Sequence, residues 1–141
     1  MSEATKTGTD TVVLPEGGAR LVDGPNFATV ATIEPDGSVQ LSEVWVRRDG
    51  DDVLFSTTTN RRKYTNLRRD PRVTVLVHSA ENPYSYLEVR GTATITTEGG
   101  RALIDELAAK YTGAQRYPGD DGTSNERVVV RVTPRHVVFH G

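Results

Sequence analysis

The chain has 141 residues, a formal net charge of −2 and no cysteine. This length favours a single domain with its own core, the near-neutral charge argues against a general affinity for nucleic acid, and the lack of cysteine excludes disulfides, thiolate metal sites and a cysteine nucleophile. The sequence has neither a secretion signal nor the run of ~20 apolar residues that a membrane helix needs, so we expect a cytoplasmic protein.

The first predicted feature along the chain is a tail. Residues 1–13 are rich in Thr, Ser, Gly and charged side chains, and we expect them to be disordered. Residues 14–141 then form one domain. It opens with a short helix over residues 15–22, in which Pro15 occupies an early helical position.

Strands dominate the rest of the domain. Runs rich in β-branched residues, separated by turn signals such as Pro35-Asp36-Gly37, predict them. In order they cover residues 27–34, 38–48, 53–57, 73–78, 84–97, 127–133 and 135–140. Because the strands come in consecutive runs and do not alternate with helices, we expect a mainly β protein with an antiparallel sheet or small barrel of six or seven strands.

Two irregularities are expected within these strands. The apolar phase shifts between Leu41 and Val44, which predicts a bulge near residues 42–43. The run 84–97 alternates along its whole length, and a strand that long usually curls around a barrel. Gly91 is its natural bending point.

Two further helices are predicted between the strands. The clearer one spans residues 100–111 and carries Leu103, Leu107 and Tyr111 on one stripe. The other runs from residue 61 to 69 and ends at an aspartate that precedes a proline, a position that resists the helical conformation.

The start of the 61–69 helix carries cations where a helix prefers anions. Arg61, Arg62 and Lys63 follow the polar run 56–60, and each cation at this end is disfavoured by about 0.3–1 kcal/mol. A bound anion resolves the conflict, because the free N–H groups, the helix dipole and the basic side chains then point at one negative group. We therefore predict a phosphate site here. The alternative is a solvated surface helix.

Other site chemistries have weaker support. His136 and His140 share a strand face, but four strand residues span roughly 13 Å, too far for one metal to bridge. His78 stands alone, so we predict no metal site. Nucleophile-elbow and dinucleotide glycine motifs are both absent from the sequence. Trp45 and Tyr86 could stack on a planar ligand, although a core role is the simpler interpretation.

Taken together, these residues resemble a known family. Three segments are FATVATIEPDGSVQLSEVWV, VLFSTTTNRRKYTNLRRDPRVTVLV and YLEVRGTATI. Their order and spacing resemble flavin-reductase-like split-barrel proteins related to pyridoxamine 5′-phosphate oxidase, and within them the deazaflavin (coenzyme F420)-dependent oxidoreductases of actinobacteria. The most specific piece is R-x-K-x-x-N-L-R-R-D-P-R, which begins at Arg61 and ends at Arg72. The resemblance covers about residues 20–140.

The resemblance implies a six-stranded antiparallel split β-barrel that forms a homodimer, with a cofactor groove at the interface. Within the family, Arg61 and Lys63 correspond to the phosphate ligands and Asn66 to a supporting residue. Residues 56–58 correspond to the segment along the ribityl chain and ring edge, and Gln40 to a polar position beside the ring. The implied cofactor-binding residues are Gln40, Ser56, Thr57, Thr58, Arg61, Lys63 and Asn66.

The implied function is an oxidoreductase that uses reduced coenzyme F420 to transfer a hydride to a small electron-poor acceptor, quinone-like or enone-like. The alternatives are an FMN-binding oxidoreductase of the same fold and a non-catalytic flavin or deazaflavin binder. A nucleic-acid module is less favoured, because the remainder of the chain is acidic. The cofactor carries the chemistry, so no catalytic residue is assigned, and Tyr86 or solvent is the candidate proton donor. Arg62 would suit the polyglutamate tail of F420, or is simply solvated.

Overall fold

The structure is a computed structural model that describes residues 2–5 and 12–141. These residues form eight strands and three helices. The strands are β1 (Ser2–Thr5), β2 (Ala28–Ile33), β3 (Val39–Val44), β4 (Arg47–Asp49), β5 (Asp52–Thr58), β6 (Arg72–His78), β7 (Tyr86–Thr96) and β8 (Arg127–His140). The helices are α1 (Glu16–Asp23), α2 (Arg62–Arg69) and α3 (Gly100–Thr112). None of these three helices is long and apolar enough to cross a membrane.

The strands form one antiparallel sheet. Seven of them are hydrogen-bonded in the order β3-β2-β6-β7-β8-β5-β4, and β1 pairs with β8 outside this path. All pairings between the described strands are antiparallel. The predicted mainly β, antiparallel architecture with short helices is therefore confirmed. The strand number is higher than the six implied by the resemblance.

One reason for the higher number is that a predicted strand divides in two. β3 ends at Val44 and β4 begins at Arg47, so the chain leaves the sheet at Trp45 and Val46. The β2–β3 pairing keeps one register throughout, and the bulge expected at residues 42–43 is therefore wrong. The shift in apolar phase reflects the two faces of β3 instead, because Val39 and Leu41 are exposed on one face and Val44 is buried on the other.

The last two predicted strands are one continuous strand. β8 runs through Pro134, and its register with β7 shifts between Arg90 and Gly91, opposite this proline. A Cβ atom at Gly91 would lie 2.2 Å from the carbonyl oxygen of Thr133. Glycine is thus required for the close approach of β7 to β8, in agreement with the irregularity expected at this position.

The N-terminal segment differs from the expected tail. Ser2–Thr5 pairs with β8 as strand β1, and Val12 is buried in the core. The physical reason is that β8 is longer than its neighbour β5. β5 pairs with β8 only as far as Val132, and β1 pairs with residues 136–139 farther along β8. The remaining residues of the predicted tail that precede Val12, residues 1 and 6–11, lie outside the described part of the chain.

Strand β5 is buried on both faces. Val53 and Phe55 belong to the main core on the inner side of the sheet. Leu54 points the opposite way and packs against Leu103 and Leu107 of α3, which confirms the predicted apolar stripe of that helix. Alternate residues of β5 therefore face the core and α3, and this alternation determines which of its polar side chains can reach a cleft on the α3 side.

Candidate functional site

Helix α2 begins with cations and has no compensating acid in its first turn. Arg61 is its N-cap residue, without a side-chain cap hydrogen bond, and Arg62 and Lys63 follow. Arg62 forms an ion pair with Glu34, with Nε 2.8 Å from Oε2. That carboxylate offsets the charge of Arg62, so Arg61 and Lys63 are the cations left to interact with a ligand.

The side chain of Lys63 is largely buried and has no hydrogen-bond or ion-pair partner among the described residues. It is only 6% exposed, and it makes no hydrogen bond or ion pair with any described residue. Burial, followed by the charges of Arg61 and Arg127, lowers the pKa of Lys63 below its usual 10.5. Desolvation of a charge that has no partner among the described residues is costly, and a bound anion would offset the cost.

Lys63 lines a cleft of about 190 Å³. Its other polar walls are Ser56, Arg61, Arg127 and Glu43. Apolar and aromatic side chains form the rest of the wall: Phe27, Val44, Trp45, Ile104, Leu107 and Tyr117. The cleft thus joins a cationic region to an apolar one, an arrangement that suits an anionic group attached to a planar body.

Arg127 is the site residue that sequence reasoning missed. It stands at the start of β8, and its Nε and Nη2 donate to the carboxylate of Asp120 over 2.7 and 3.1 Å. Its Nη1 lies 3.4 Å from Oγ of Ser56, and its guanidinium lies over the ring of Tyr117, 4.9 Å from the centroid. In the sequence Arg127 reads as an ordinary strand end. No local pattern marks it as a site residue, because the β5–β8 register that pairs it with Thr58 arises only in the folded structure.

Neighbouring rings hold Trp45 in the cleft wall. Its ring stacks on Tyr111 with centroids 5.5 Å apart and an interplanar angle of 13°, and it meets the ring of Tyr117 edge-on at 6.1 Å. Contacts of this kind contribute about 0.5–1.5 kcal/mol beyond area burial. Trp45 is therefore a fixed part of the wall with a packing role of its own.

Side chains of α3 satisfy the backbone at the strand break beside Trp45. The hydroxyl of Tyr111 donates to the carbonyl oxygen of Asn26 over 2.6 Å and accepts from the N–H of Val46 over 3.1 Å. Nζ of Lys110 donates to the carbonyl oxygens of Val22 and Val46, both at 2.6 Å. Buried backbone groups need such partners, so these contacts replace the ladder hydrogen bonds that the break removes.

The structure brings three of the seven predicted site residues, Ser56, Arg61 and Lys63, to the cleft. Thr57 does not line it. Strand alternation turns its side chain to the same face as Phe55, where its Oγ1 is buried without a hydrogen-bond partner among the described residues. Thr58 is also fully buried, and its hydroxyl donates to the side chain of Asn60.

Gln40 and Asn66 are joined through Thr32 rather than through the cleft. Oγ1 of Thr32 donates to Oε1 of Gln40 over 2.7 Å and accepts from Nδ2 of Asn66 over 3.1 Å. Asn66 is fully buried, and its Oδ1 accepts from Arg69 over 3.2 Å. These bonds fasten α2 to β2 and β3, so within one chain they position the helix whose start carries the cations.

The candidate proton donor Tyr86 lies away from this cleft. It packs against His140, with ring centroids 5.6 Å apart, at the far end of β8 from Arg127. In the described part of the chain, no three His, Cys, Asp or Glu side chains come together in a way that could hold a metal ion.

Comparison with known proteins agrees with this architecture. A family model described as pyridoxamine 5′-phosphate oxidase matches residues 14–141. A solved structure named F420 reductase is 34% identical, with a TM-score of 0.78, and the match covers 89% of this chain and 98% of that one. A conserved hypothetical protein from Mycobacterium tuberculosis is 30% identical, with a TM-score of 0.69, over 94% of this chain and 88% of that one.

A more distant structure shares the fold alone. General stress protein 26 from Bacillus anthracis is 16% identical, with a TM-score of 0.65, over 88% of this chain and 91% of that one. The family match, by contrast, extends over residues 14–141. The chain therefore belongs to the pyridoxamine 5′-phosphate oxidase family, as its resemblance to these split-barrel proteins predicts.

Proposed function

We propose that this protein binds a phosphate-bearing cofactor of the flavin type in the cleft at the start of α2, and acts as an oxidoreductase. Membership of the family and the 34% identity to a protein named F420 reductase support a link to flavin or deazaflavin chemistry. One observation carries the proposal to this cleft. Lys63 is 6% exposed, lines the cleft and has no anionic partner among the described residues.

The residues present fit a phosphate group. Arg61 and Lys63 supply positive charge, Ser56 supplies a hydroxyl, and the first turn of α2 supplies free N–H groups and the positive end of the helix dipole. Each charge-assisted hydrogen bond to phosphate contributes roughly 1.5–3 kcal/mol. The adjoining wall around Trp45 suits a planar ring.

Coenzyme F420 is the proposed cofactor, and FMN is the alternative. Both carry a phosphate, so the cationic region suits either, and the choice of F420 rests on the relative named F420 reductase. The chemistry that the reduced cofactor supplies is hydride transfer to a small electron-poor acceptor, quinone-like or enone-like. The side chains of this protein hold and orient the cofactor, and the open side of the cleft admits the acceptor.

A homodimer is part of the proposal. The cleft volume of about 190 Å³ is smaller than the roughly 300–1,000 Å³ of a complete small-molecule site, so one chain supplies only part of it. Phe27, which lines the cleft, is 52% exposed, and Val39 and Leu41 on β3 are 60% and 63% exposed. These apolar side chains suit burial against a second copy. Light scattering should give the mass of two 15.4 kDa chains, and the mass of one would contradict the dimer.

Cofactor titration tests the proposal directly. The purified protein is titrated separately with F420 and with FMN while quenching of cofactor fluorescence is followed. We expect tighter binding of F420. Tighter binding of FMN would transfer the assignment to the alternative cofactor, and binding of neither would overturn the proposal.

Two further measurements locate the site and separate an enzyme from a binder. Lys63→Ala should weaken cofactor binding by about 10-fold or more, through loss of a charged phosphate contact. The matched control is Arg68→Ala at the other end of α2, where Arg68 donates to the hydroxyl of Tyr64, and it should bind as the wild type does.

Oxidation of reduced F420 is then assayed with a panel of quinones and enones. Binding without oxidation would favour the non-catalytic alternative.

A further inference from the structure

We infer that Arg127 is a third anion-binding group of this cleft and that Asp120 is the positioning residue that holds it, so that the loop over residues 113–126 is part of the site. The inference rests on the proposed function, because the anion in question is the phosphate of the proposed cofactor. It adds two residues that neither the phosphate motif nor the family resemblance indicates.

The geometry of Arg127 leaves one side of its guanidinium directed to the cleft. Asp120 accepts from Nε and Nη2 and so occupies one edge, while the ring of Tyr117 covers a face. The remaining nitrogen, Nη1, lies 3.4 Å from Oγ of Ser56, which lines the cleft. A guanidinium presents its donors in a rigid planar fork, so anchoring one edge sets the direction of the others.

Asp120 is itself held firmly enough to act as an anchor. Its side chain is 8% exposed, and besides Arg127 it accepts from Nδ2 of Asn125 over 2.9 Å and from Nη1 of Arg101 over 3.3 Å. Oδ1 of Asn125 in turn accepts from Nδ2 of Asn60 over 3.2 Å, one residue before Arg61. The loop is therefore tied both to α3 and to the start of α2, and Asp120 need not leave Arg127 when an anion arrives.

The charges around Lys63 give Arg127 a direct electrostatic role. Arg61, Lys63 and Arg127 line one cleft, and the like charges of Arg61 and Arg127 add to the effect of burial in lowering the pKa of Lys63. A phosphate between the three cations would offset their mutual repulsion. The acidic side chains nearby are Asp120, bound to Arg127, and Glu43, which accepts from the hydroxyl of Thr29.

Charge alone and positioning predict opposite effects for Asp120. A carboxylate beside an anion site repels the anion, so replacing Asp120 by a neutral residue should tighten binding if charge alone matters. If Asp120 positions Arg127, the same replacement loosens the guanidinium and weakens binding. The sign of the change therefore separates the two roles.

The test measures inorganic phosphate affinity by calorimetry, with the full chain and its variants. Arg127→Ala should weaken phosphate binding by about 10-fold or more, and Asp120→Asn by about threefold or more. Asp121→Asn is the matched control: it is the next residue of the same loop, and its partner Arg116, 2.6 Å away, is exposed and does not line the cleft. Tighter or unchanged binding by Asp120→Asn would overturn the inference.

A double variant shows whether Asp120 acts through Arg127. In the Arg127→Ala background, Asp120→Asn should cause no further loss of phosphate affinity, whereas a loss of full size would overturn the positioning role. Circular dichroism checks the fold of each variant. If Arg127→Ala does not fold, Arg127→Lys takes its place, because it keeps the charge without the fork and should bind phosphate with intermediate affinity.

The same titrations separate this inference from the proposed function. If the protein binds neither F420 nor FMN, but its phosphate binding depends on Arg127 and Asp120, the proposed function is wrong and this inference stands. If the protein binds the cofactor tightly, but Arg127→Ala and Asp120→Asn both bind phosphate as the wild type does, this inference is wrong and the proposed function stands.

Discussion

Lys63 of α2 and Arg127 of β8 line the same cleft, and the positive charge of Arg127 acts on the largely buried Lys63 side chain. Burial first, and then the charges of Arg61 and Arg127, lower the pKa of Lys63. Such an arrangement opposes the stability of the chain by itself and favours an anion. Binding sites often show this conflict between stability and function.

Lys63→Met should raise stability and lower cofactor affinity. The substitution keeps an unbranched side chain that is one atom shorter, and it removes a partly desolvated charge that has no described partner. We expect the free energy of unfolding in urea to rise by about 1 kcal/mol and F420 affinity to fall by about 10-fold or more.

Arg68→Met serves as the control for this variant. Arg68 lies at the C-terminal end of α2, where the helix dipole favours a cation. Its replacement should therefore leave the free energy of unfolding and the free energy of F420 binding within about 0.5 kcal/mol of wild type. Lower stability of Lys63→Met together with unchanged affinity would remove Lys63 from the site.

Anion affinity should fall at alkaline pH. Sulfate is a suitable probe, because its charge stays constant in this range. Lys63 binds it while protonated, so affinity should decline as pH rises through the lowered pKa of Lys63, which lies below 10.5. Lys63→Arg should abolish the decline, because arginine keeps its charge. Lys110, with a pKa lowered to about 8 by burial, does not line the cleft, and a decline that persists in Lys63→Arg would point to Lys110.

Stability without an anion should change with pH in the opposite sense. The unfolded chain keeps the proton of Lys63 up to about pH 10.5, whereas the folded chain releases it earlier. Between these two pKa values the unfolded state binds more protons, so the free energy of unfolding rises with pH. Lys110 contributes with the same sign from about pH 8 upwards. Urea denaturation of wild type and Lys63→Met across this pH range measures how much Lys63 contributes to the pH dependence of the free energy of unfolding. If this free energy rises equally steeply with pH in both proteins, the lowered pKa of Lys63 is contradicted.

Ser56 and Thr57 should respond differently to loss of their hydroxyls. Ser56 lines the cleft, so Ser56→Ala should weaken F420 binding by about 3- to 10-fold, the size of a neutral hydrogen bond. Oγ1 of Thr57 is buried and has no hydrogen-bond partner in the described part of the chain, so Thr57→Val should leave affinity unchanged and keep or raise stability. A clear loss of affinity in Thr57→Val would return Thr57 to the site, as the family resemblance implies.

Tyr111→Phe should destabilise the protein at the strand break. It removes the hydroxyl that bonds the carbonyl of Asn26 and the N–H of Val46, and unpaired buried backbone groups cost about 1–3 kcal/mol each. We expect a matching loss in the free energy of unfolding. Tyr84→Phe, at a tyrosine that is 77% exposed, should change it by no more than about 0.5 kcal/mol. Equal stabilities of the two variants would mean that the Tyr111 hydroxyl does not support the break.

Sequence patterns predicted features that depend on neighbours along the chain. The alternation of residues 84–97 and the stripe of Leu103 and Leu107 correspond to β7 and the packing face of α3. Arg61 and Lys63 were identified because cations at a helix start conflict with a local dipole, and both line the cleft. The break at Trp45 escaped prediction, because the side chains that make it tolerable belong to α3.

The sequence by itself determined the mainly β antiparallel class, the irregularity at Gly91 and the cationic start of α2, because periodicity, glycine and the helix dipole act over a few residues. Only the tertiary structure decided which polar groups share the cleft. Strand register brings Arg127 beside β5, the loop after α3 carries Asp120 to it, and alternation turns Thr57 away. These contacts join residues far apart in the chain, so they depend on strand register and loop path, which no local pattern specifies.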